Sequence, residues 1–188
     1  MIDEPKVKLA KNTDLRKAIE IGFDEAFTSL AESFHDLSDE QALAFPLEGH
    51  KNVAWIVMHS LRNLDEYGPY TLRYLSWEGE GDHRTWSIDW REYKDRFGME
   101  AEPRPGDEFP PVAEMMKMLR TIESCTRQVL AGLSSEDLRK PVRDWWAAAA
   151  DACMRTIWHT MAHVRQIWLL RGAMGWSEGQ SRPHQHWA

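Results

Sequence analysis

Four long segments of this chain place apolar residues at helical spacing, and no segment alternates apolar and polar residues as a half-buried strand would. In the first segment, Ile19, Phe23, Phe27 and Leu30 recur every three or four residues, which is typical of one buried helix face. The predicted helices cover residues 14–34, 51–67, 112–132 and 146–170. With 188 residues and no internal repeat, the chain is predicted to be one all-α domain, residues 1–188, built as a four-helix bundle.

Capping and breaking residues mark the expected helix boundaries. Asp14 is a predicted N-cap of the first helix, and Gly68-Pro69 is expected to end the second. Gly132 is placed to end the third helix, and Arg171-Gly172 to close the fourth. Between the first two helices, residues 36–46 predict a turn or a short helix that ends at a proline.

The connection between the second and third helices is unusually long. Residues 76–110 contain Trp77, Trp86 and Trp90, several glycines and a proline-rich run, with a short helix expected at residues 89–96. Connections of this length are uncommon unless they serve as lids or walls of a site. The sequence therefore predicts a bundle with one long crossover between helices 2 and 3. Trp86 and Trp90 are candidate walls of a substrate pocket, with ordinary packing as the alternative.

Charge and hydropathy argue against two classes of partner. The net charge is −7, and lysines and arginines are scattered among acids, so no basic patch is available to neutralise nucleic-acid phosphates. The most apolar segment, residues 145–170, carries Asp151, Arg155 and Arg165, which makes a membrane span costly. The N-terminus has no apolar run typical of a signal peptide. The protein is predicted to be cytoplasmic, with neither nucleic acid nor membrane as a partner.

Two cysteines, Cys125 and Cys153, lie within predicted helices. Their number and spacing favour reduced, structural thiols over a disulfide or a zinc site. Cys125 is conceivable as a nucleophile, but a structural role is favoured. No protein nucleophile is therefore assigned.

The fourth helix carries His159 and His163, one turn apart. Spacing of i and i+4 puts both imidazoles on one helix face, where they can bind one divalent metal ion. His59, midway along the second helix, could complete a three-histidine site. The alternative is a purely structural role, in which the histidines are hydrogen-bonded to backbone or water. Position 160 is threonine, so the HExxH signature of metalloproteases is absent. The remaining histidines are treated as surface residues: His35, His50, His83, His184 and His186.

The helical positions of these histidines suggest which way they face. His159 and His163 share a stripe with Gln166 that is expected to face the bundle. His59 shares a stripe with polar neighbours, which fits either solvent exposure or a cleft between helices. A second stripe on the fourth helix is apolar and nearly opposite the first, and it is expected to meet other helices or a second subunit, which favours a homodimer. That second stripe consists of Ile157, Met161, Val164 and Trp168.

Two short segments resemble the DinB-like (DinB/YfiT-like) superfamily of damage-inducible four-helix-bundle metalloproteins. The first is residues 52–61, NVAWIVMHSL, and the second is residues 159–167, HTMAHVRQI, followed by LRGAMG. Family members commonly carry one histidine on the second helix and an HxxxHxxQ pattern on the last, and the three histidines bind a divalent metal. The resemblance implies that His59, His159 and His163 are metal ligands. Val164 stands where many members have a further histidine.

The resemblance also implies a function. Members include transferases and isomerases that use a low-molecular-weight thiol, so the leading hypothesis is a metal-bound thiolate, or water, attacking a small electrophilic substrate. The alternatives are a non-catalytic metal-bound stress or binding protein and a metal-dependent hydrolase. The metal, Zn, Ni, Fe or Mn, is not readable from imidazole ligands. Candidates that support the ligands or contact the substrate are Gln166, Arg62, Asn63, Glu66 and Arg155.

Overall fold

The computed structural model describes residues 14–45, 50–73, 86–93, 97, 107–142 and 147–176. Within these residues the chain is all-α, and four long helices form a four-helix bundle, as predicted. The helices are α1 (Leu15–Phe34), the short α2 (Asp39–Leu43), α3 (Val53–Asp65), α4 (Val112–Ala131) and α5 (Ala149–Ala173). A crossover leads from α3 to α4, and only residues 86–93 and 97 of its central part are described.

Side-chain caps begin three of these helices. The Asp14 carboxylate accepts a hydrogen bond from the backbone N–H of Arg16, as the N-cap prediction requires. Ser38 begins α2 with a reciprocal pair of hydrogen bonds to Gln41, which accounts for the short helix expected after α1. The Asn52 side chain accepts from the N–H of Trp55 and begins α3. Each cap satisfies a backbone donor that would otherwise lack an intrahelical partner.

The last helix ends later than predicted. α5 continues through Arg171-Gly172 to Ala173, because the Arg171 side chain is buried and donates hydrogen bonds to the Asp36 carboxylate and the Ser33 carbonyl. These contacts with the end of α1 hold the last turn of α5 in helical conformation. The predicted start at residue 146 lies outside the described residues, and the helix is assigned from Ala149.

α3 ends at Asp65 and passes into a π-helical turn, Glu66–Tyr70, that contains the predicted Gly68-Pro69 break. Gly68 lies so close to α4 that a Cβ atom there would be 3.2 Å from the Thr126 Oγ1 atom. Proline at the next position lacks the N–H that a regular helix needs. The turn therefore lets the chain leave α3 while it stays packed against α4.

The core lies between the four long helices, and α5 packs against both α1 and α3. Phe23, Phe27 and Phe34 of α1 are buried in it together with Trp55 of α3. α1 approaches α5 closely at Gly22, where a Cβ atom would lie 2.9 Å from the Ile157 Cδ1 atom. Among the helices that the structure describes, none combines the length and the apolar character needed to cross a bilayer.

The two stripes predicted on α5 fare differently. His159 and His163 are half-buried, on the side of the helix that faces α3. In the apolar stripe, Ile157 and Val164 are buried inside the same bundle, so they are not available to a second subunit. The most exposed large apolar side chains of α5 are instead Leu169 and Trp158, neither of which was part of a predicted stripe.

Both cysteines are free, in line with the prediction of reduced thiols. Cys153 is fully buried in α5, and burial raises the pKa of its thiol to about 12. Cys125 of α4 is half-buried. A buried thiol with so high a pKa is almost entirely protonated at pH 7, which makes it a poor nucleophile.

Candidate metal centre

Three histidines from two helices meet at one point of the bundle. The Nε2 atom of His159 lies 3.3 Å from the Nε2 atom of His59 and 3.3 Å from that of His163. One ligand atom from each of the three side chains lies within 4.8 Å of the others. The three histidines singled out in the sequence are therefore brought together, as a group that could hold a metal ion.

His59 is the most deeply placed of the three. It is 5% exposed, and its ring stacks on Trp55, one turn earlier in α3, at 4.8 Å between ring centroids and 10° between planes. Its Nδ1 atom donates a hydrogen bond of 2.7 Å to the backbone carbonyl of Phe97 in the long connection. This contact assigns the proton to Nδ1 and leaves the Nε2 lone pair directed at the other histidines. The cleft alternative for the His59 stripe is the one observed.

On α5 the support is local. The Nδ1 atom of His163 donates a hydrogen bond of 2.6 Å to the Gln166 Oε1 atom, which again leaves Nε2 free to bind a metal. Gln166 itself is exposed. The Nδ1 atom of His159 is buried and has no hydrogen-bond partner among the residues that the structure describes. Two of the three rings are thus oriented by a hydrogen bond behind the Nε2 atom.

The pKa values of the three histidines favour the neutral form that metal binding needs. Burial lowers the pKa of His59 to about 4, against the opposing effect of the Phe97 carbonyl. Burial, together with the two neighbouring histidines and Arg155, lowers the pKa of His159 to about 4. Burial also lowers the pKa of His163, although the hydrogen bond to Gln166 opposes it. At pH 7 the cluster presents three neutral nitrogen lone pairs.

These distances fit a tetrahedral metal ion. Metal–nitrogen bonds of about 2.05 Å at tetrahedral angles separate neighbouring nitrogens by about 3.3 Å. Both short Nε2–Nε2 separations have that value. Three neutral imidazoles and no carboxylate in the described cluster make a donor set suited to Zn and to neighbouring transition metals, with a coordination position left for another ligand.

The candidate residues around the histidines have separate roles. Asn63 accepts a hydrogen bond of 2.7 Å from the Thr156 hydroxyl, and so it links α3 to α5 rather than facing a substrate. The Arg62 guanidinium lies 6.0 Å from the centroid of the Trp86 ring, and its charge contributes to lowering the pKa of His59. Arg155 is exposed, and Glu66 is half-buried at the start of the π-helical turn.

The two candidate wall tryptophans attach the connection to the end of α3 and to the π-helical turn that follows it. Trp86 stacks on Tyr70, with 4.5 Å between ring centroids. Trp90 begins the short 3-10 helix Trp90–Tyr93, within the predicted range, and its indole N–H donates to the Asp65 carboxylate at 2.9 Å. Asp65 is fully buried and also accepts hydrogen bonds from the backbone N–H groups of Ser87 and Ile88. The carboxylate thereby fixes this part of the connection to the end of α3.

Three contributors were missed from sequence. Trp55 stands four residues before His59, so helical spacing could have paired the two rings. Asp65 is an acidic residue at the end of a helix, with no motif to distinguish it from a surface residue. The Phe97 contribution is a backbone carbonyl, which leaves no trace in the residue type. The histidines predicted to lie on the surface, His35 and His50, are exposed, and the other three lie outside the described residues.

The class of protein that the structure defines is a four-helix bundle whose second and last long helices carry three histidines that could hold a metal ion. The sequence profile of the DinB superfamily matches residues 23–167, and the chain belongs to this superfamily, as its motifs predicted. The match includes all three histidines. Among curated proteins, none matches the chain in sequence.

The fold also occurs in solved structures, among them one from Bacillus subtilis and one from Enterococcus faecalis. YfiT from Bacillus subtilis, described as a probable metal-dependent hydrolase with an unusual four-helix bundle topology, is 18% identical with a TM-score of 0.59, covering 93% of this chain and 94% of YfiT. A conserved protein from Enterococcus faecalis is 16% identical with a TM-score of 0.59, covering 87% of this chain and 99% of that protein. At these identities the likeness establishes the fold.

Proposed function

We propose that this protein is a metal-dependent enzyme that activates a small thiol and transfers it to an electrophilic small molecule. The observation that carries the proposal is the convergence of three histidines, in which the His159 Nε2 atom lies 3.3 Å from the Nε2 atoms of His59 and His163 and hydrogen bonds orient the rings of those two. Such preorganisation lowers the cost of binding a divalent ion, because the rings need not reorient.

A divalent ion on three neutral imidazoles keeps its full charge, and it lowers the pKa of a coordinated thiol or water so that the nucleophile forms at neutral pH. The protein's part is to hold the three nitrogens in place and to leave one side of the centre accessible. His59 is buried, whereas His159 and His163 are half-exposed on α5. An incoming ligand is therefore expected to approach from the α5 side.

The nucleophile is expected to come from outside the protein. Cys153 is fully buried, with a pKa raised to about 12. The described histidine cluster contains no carboxylate that would act as a base. A thiol co-substrate needs no such base once it is coordinated, which supports the thiol hypothesis. Arg62, near the Trp86 ring, and Arg155, on the α5 side, are the cations we assign to holding polar groups of the substrate.

A second candidate is hydrolysis, with water in place of the thiol. It is supported by the structural likeness to YfiT, whose description is a probable metal-dependent hydrolase. Both candidates need the same three histidines and differ only in the nucleophile. A third outcome, a metal-bound binding or stress protein, needs the metal but no turnover.

The metal is tested first, by elemental analysis of untagged protein. We expect close to one divalent ion per chain in the wild type and a loss of at least about tenfold in affinity for His59→Ala and for His159→Ala. His35→Ala is the matched control, because His35 is the exposed C-cap residue of α1 and is not part of the histidine group, so its loss should leave the metal content unchanged. Wild-type protein that takes up no Zn, Ni, Fe or Mn would contradict every form of the proposal.

The nucleophile is tested with the metal-loaded protein and generic electrophiles. Consumption of the electrophile that requires an added thiol, and is lost in His159→Ala, supports thiol transfer. Consumption without thiol, with esters or amides as substrates, assigns the protein to hydrolysis. A stoichiometric metal with neither activity across both substrate panels would leave a metal-binding protein and reject the enzyme proposal.

A further inference from the structure

Lys51 lies beside the candidate metal centre, although no sequence motif singled it out. It stands immediately before the N-cap residue of α3, and its ammonium lies 3.6 Å from the centroid of the Trp55 ring. The Trp55 ring in turn stacks on His59, with 4.8 Å between ring centroids. Because these three residues follow one another at four-residue spacing, they form a column along one face of α3 that ends at a candidate metal ligand.

The column brings the charge of Lys51 close to the histidines. The two contacts limit the distance from the ammonium to the His59 ring centroid to about 8 Å, comparable with the screening length of about 8 Å at physiological salt. Burial is the main cause of the lowered pKa values of His59 and His163, and the charge of Lys51 adds to it at both. His163 lies on the half-exposed side from which a ligand is expected to approach. The charge therefore acts where that ligand would bind.

Two further cations act on the same cluster. Burial is again the main cause of the lowered pKa values of His59 and His159, with Arg62 adding to it at His59 and Arg155 at His159. The described histidine group contains no carboxylate, so a divalent ion bound there would keep both of its charges. Although the chain has a net charge of −7, its metal centre would thus carry an excess of positive charge. An anionic ligand would compensate that excess.

We propose that Lys51 is a specificity-determining residue that binds a carboxylate of the molecule occupying the open coordination position. This inference rests on the proposed function, and it adds that the bound molecule carries a carboxylate apart from the group that binds the metal. Trp55 holds the ammonium in place by a cation–π contact. A lysine ammonium is a compact charge on a flexible chain, so it can pair with one carboxylate without the fixed two-point geometry of an arginine.

Removal of the Lys51 charge has two consequences of opposite sign. A carboxylate of the bound molecule loses its partner, and its binding weakens. The divalent ion loses a repelling neighbour, so metal affinity stays the same or rises. A residue that only maintained the local structure would, when replaced, weaken the binding of the metal and of every ligand on it. The two roles are therefore distinguishable by experiment.

The first test uses the full chain loaded with Co²⁺, whose absorption spectrum reports the ligands on the metal. The probes are 3-mercaptopropionate and 3-mercaptopropionamide, which have the same length and differ in charge. We expect the affinity ratio of carboxylate to amide to fall about fivefold in Lys51→Gln and to be largely kept in Lys51→Arg. Taking the ratio between the thiols in each protein cancels their difference in basicity. Co²⁺ affinity of Lys51→Gln should equal or exceed that of the wild type.

A second pair of probes identifies which molecule carries the carboxylate. Succinate and succinamate share one carboxylate that can bind the metal, and only succinate has a second. A preference that depends on Lys51 in either pair supports the inference. The larger preference in the thiol pair assigns the carboxylate to the thiol, and the larger preference in the sulfur-free pair assigns it to the other substrate.

Lys117→Gln is the matched control, because it removes the same charge from an exposed position of α4, where the ammonium pairs with Glu114. It should keep the wild-type preference. An unchanged preference in Lys51→Gln, an equal loss in Lys117→Gln, or weaker Co²⁺ binding by Lys51→Gln overturns the inference and leaves the proposed function standing. Wild-type protein that takes up no Co²⁺ contradicts the proposed function and this inference with it.

Discussion

The two helices that carry the histidines support them in opposite ways. On α5, His163 is oriented by Gln166, three residues further along the same helix. On α3, His59 is oriented by the carbonyl of Phe97, 38 residues away in the long connection. The α5 support is exposed and forms with the helix itself, whereas the α3 support is buried and requires the connection to be in place. The orientation of His163 is therefore set by local helical structure, whereas the orientation of His59 depends on tertiary structure.

Because His59 depends on the connection between α3 and α4, the buried carboxylate of Asp65 that fixes this connection supports the histidine as well. Asp65, at the end of α3, is fully buried and accepts hydrogen bonds from the backbone of Ser87 and Ile88 and from the Trp90 indole. Aromatic contacts run on from Trp90 through Tyr93 to Phe97, with centroids 6.0 Å apart at each step. The support of His59 thus extends back to the helix that carries it.

The largest effect is expected when this buried carboxylate is changed. Asp65→Asn loses the charge that three donors share, and we expect a loss of about 2–3 kcal/mol in the free energy of unfolding, measured by urea denaturation. Because Phe97 belongs to the same connection, Zn²⁺ affinity should also fall, by about tenfold.

Asp89→Asn is the control for that change. Asp89 is an exposed acid of the same connection, paired with exposed Arg91, and its substitution should leave the free energy of unfolding almost unchanged. If Asp65→Asn and Asp89→Asn changed the free energy of unfolding and the Zn²⁺ affinity equally, the hydrogen bonds of Asp65 would not contribute to the support of His59.

A smaller effect is expected on the local side. Gln166→Leu removes the acceptor behind His163, and Zn²⁺ affinity measured by competition with a chelator should fall about tenfold, with little change in unfolding of the metal-free protein. Gln166→Glu keeps an acceptor oxygen at the same reach and should restore most of the affinity. If Gln166→Leu binds Zn²⁺ as tightly as the wild type, the local support does not contribute.

The smallest effect concerns the loss of folding stability at acid pH. Hydrogen bonds from Arg171 hold the pKa of Asp36 below its ordinary value of 3.8. The unfolded chain therefore takes up this proton first as the pH falls, and the stabilisation present above that value is lost as the pH drops through the folded pKa. Asp36 is about a third exposed, so we expect less than about 1 kcal/mol.

Urea unfolding of the wild type and Arg171→Met between about pH 5.5 and about pH 3 measures this contribution. The difference in free energy between the two proteins should narrow as the pH falls. A difference that stays constant, or widens, would mean that the pair does not couple to protonation of Asp36.

The helix boundaries could be predicted well where the apolar periodicity alone determines them. The first and third predicted helices, 14–34 and 112–132, differ by one residue at an end from Leu15–Phe34 and Val112–Ala131. The last helix was predicted to end at residue 170 rather than at Ala173, because its final turn depends on the contact between Arg171 and Asp36, which a local pattern does not contain.

The site residues show the same distinction between what a local pattern predicts and what tertiary contacts determine. The spacing of His159 and His163 follows from helix geometry, and His59 joins them by family resemblance and is brought there by the packing of α3 on α5. The Phe97 carbonyl could not be predicted, because every residue has one and only the path of the connection selects it. The exposure of Trp158 was missed for a related reason, since an apolar residue on an apolar helix gives no sign of which side meets solvent.

The separation of His59 from His159 along the chain, 100 residues, has a consequence for how the centre reports on folding. Once α5 has formed its helix, His159 and His163 are already adjacent, and no loop has to close to bring them together. Adding His59 requires closing a loop of that length, whose entropic cost grows with its logarithm. A ligand that needs all three nitrogens therefore recognises only the completed chain topology, and its binding stabilises the native state against global unfolding rather than against fraying of one helix.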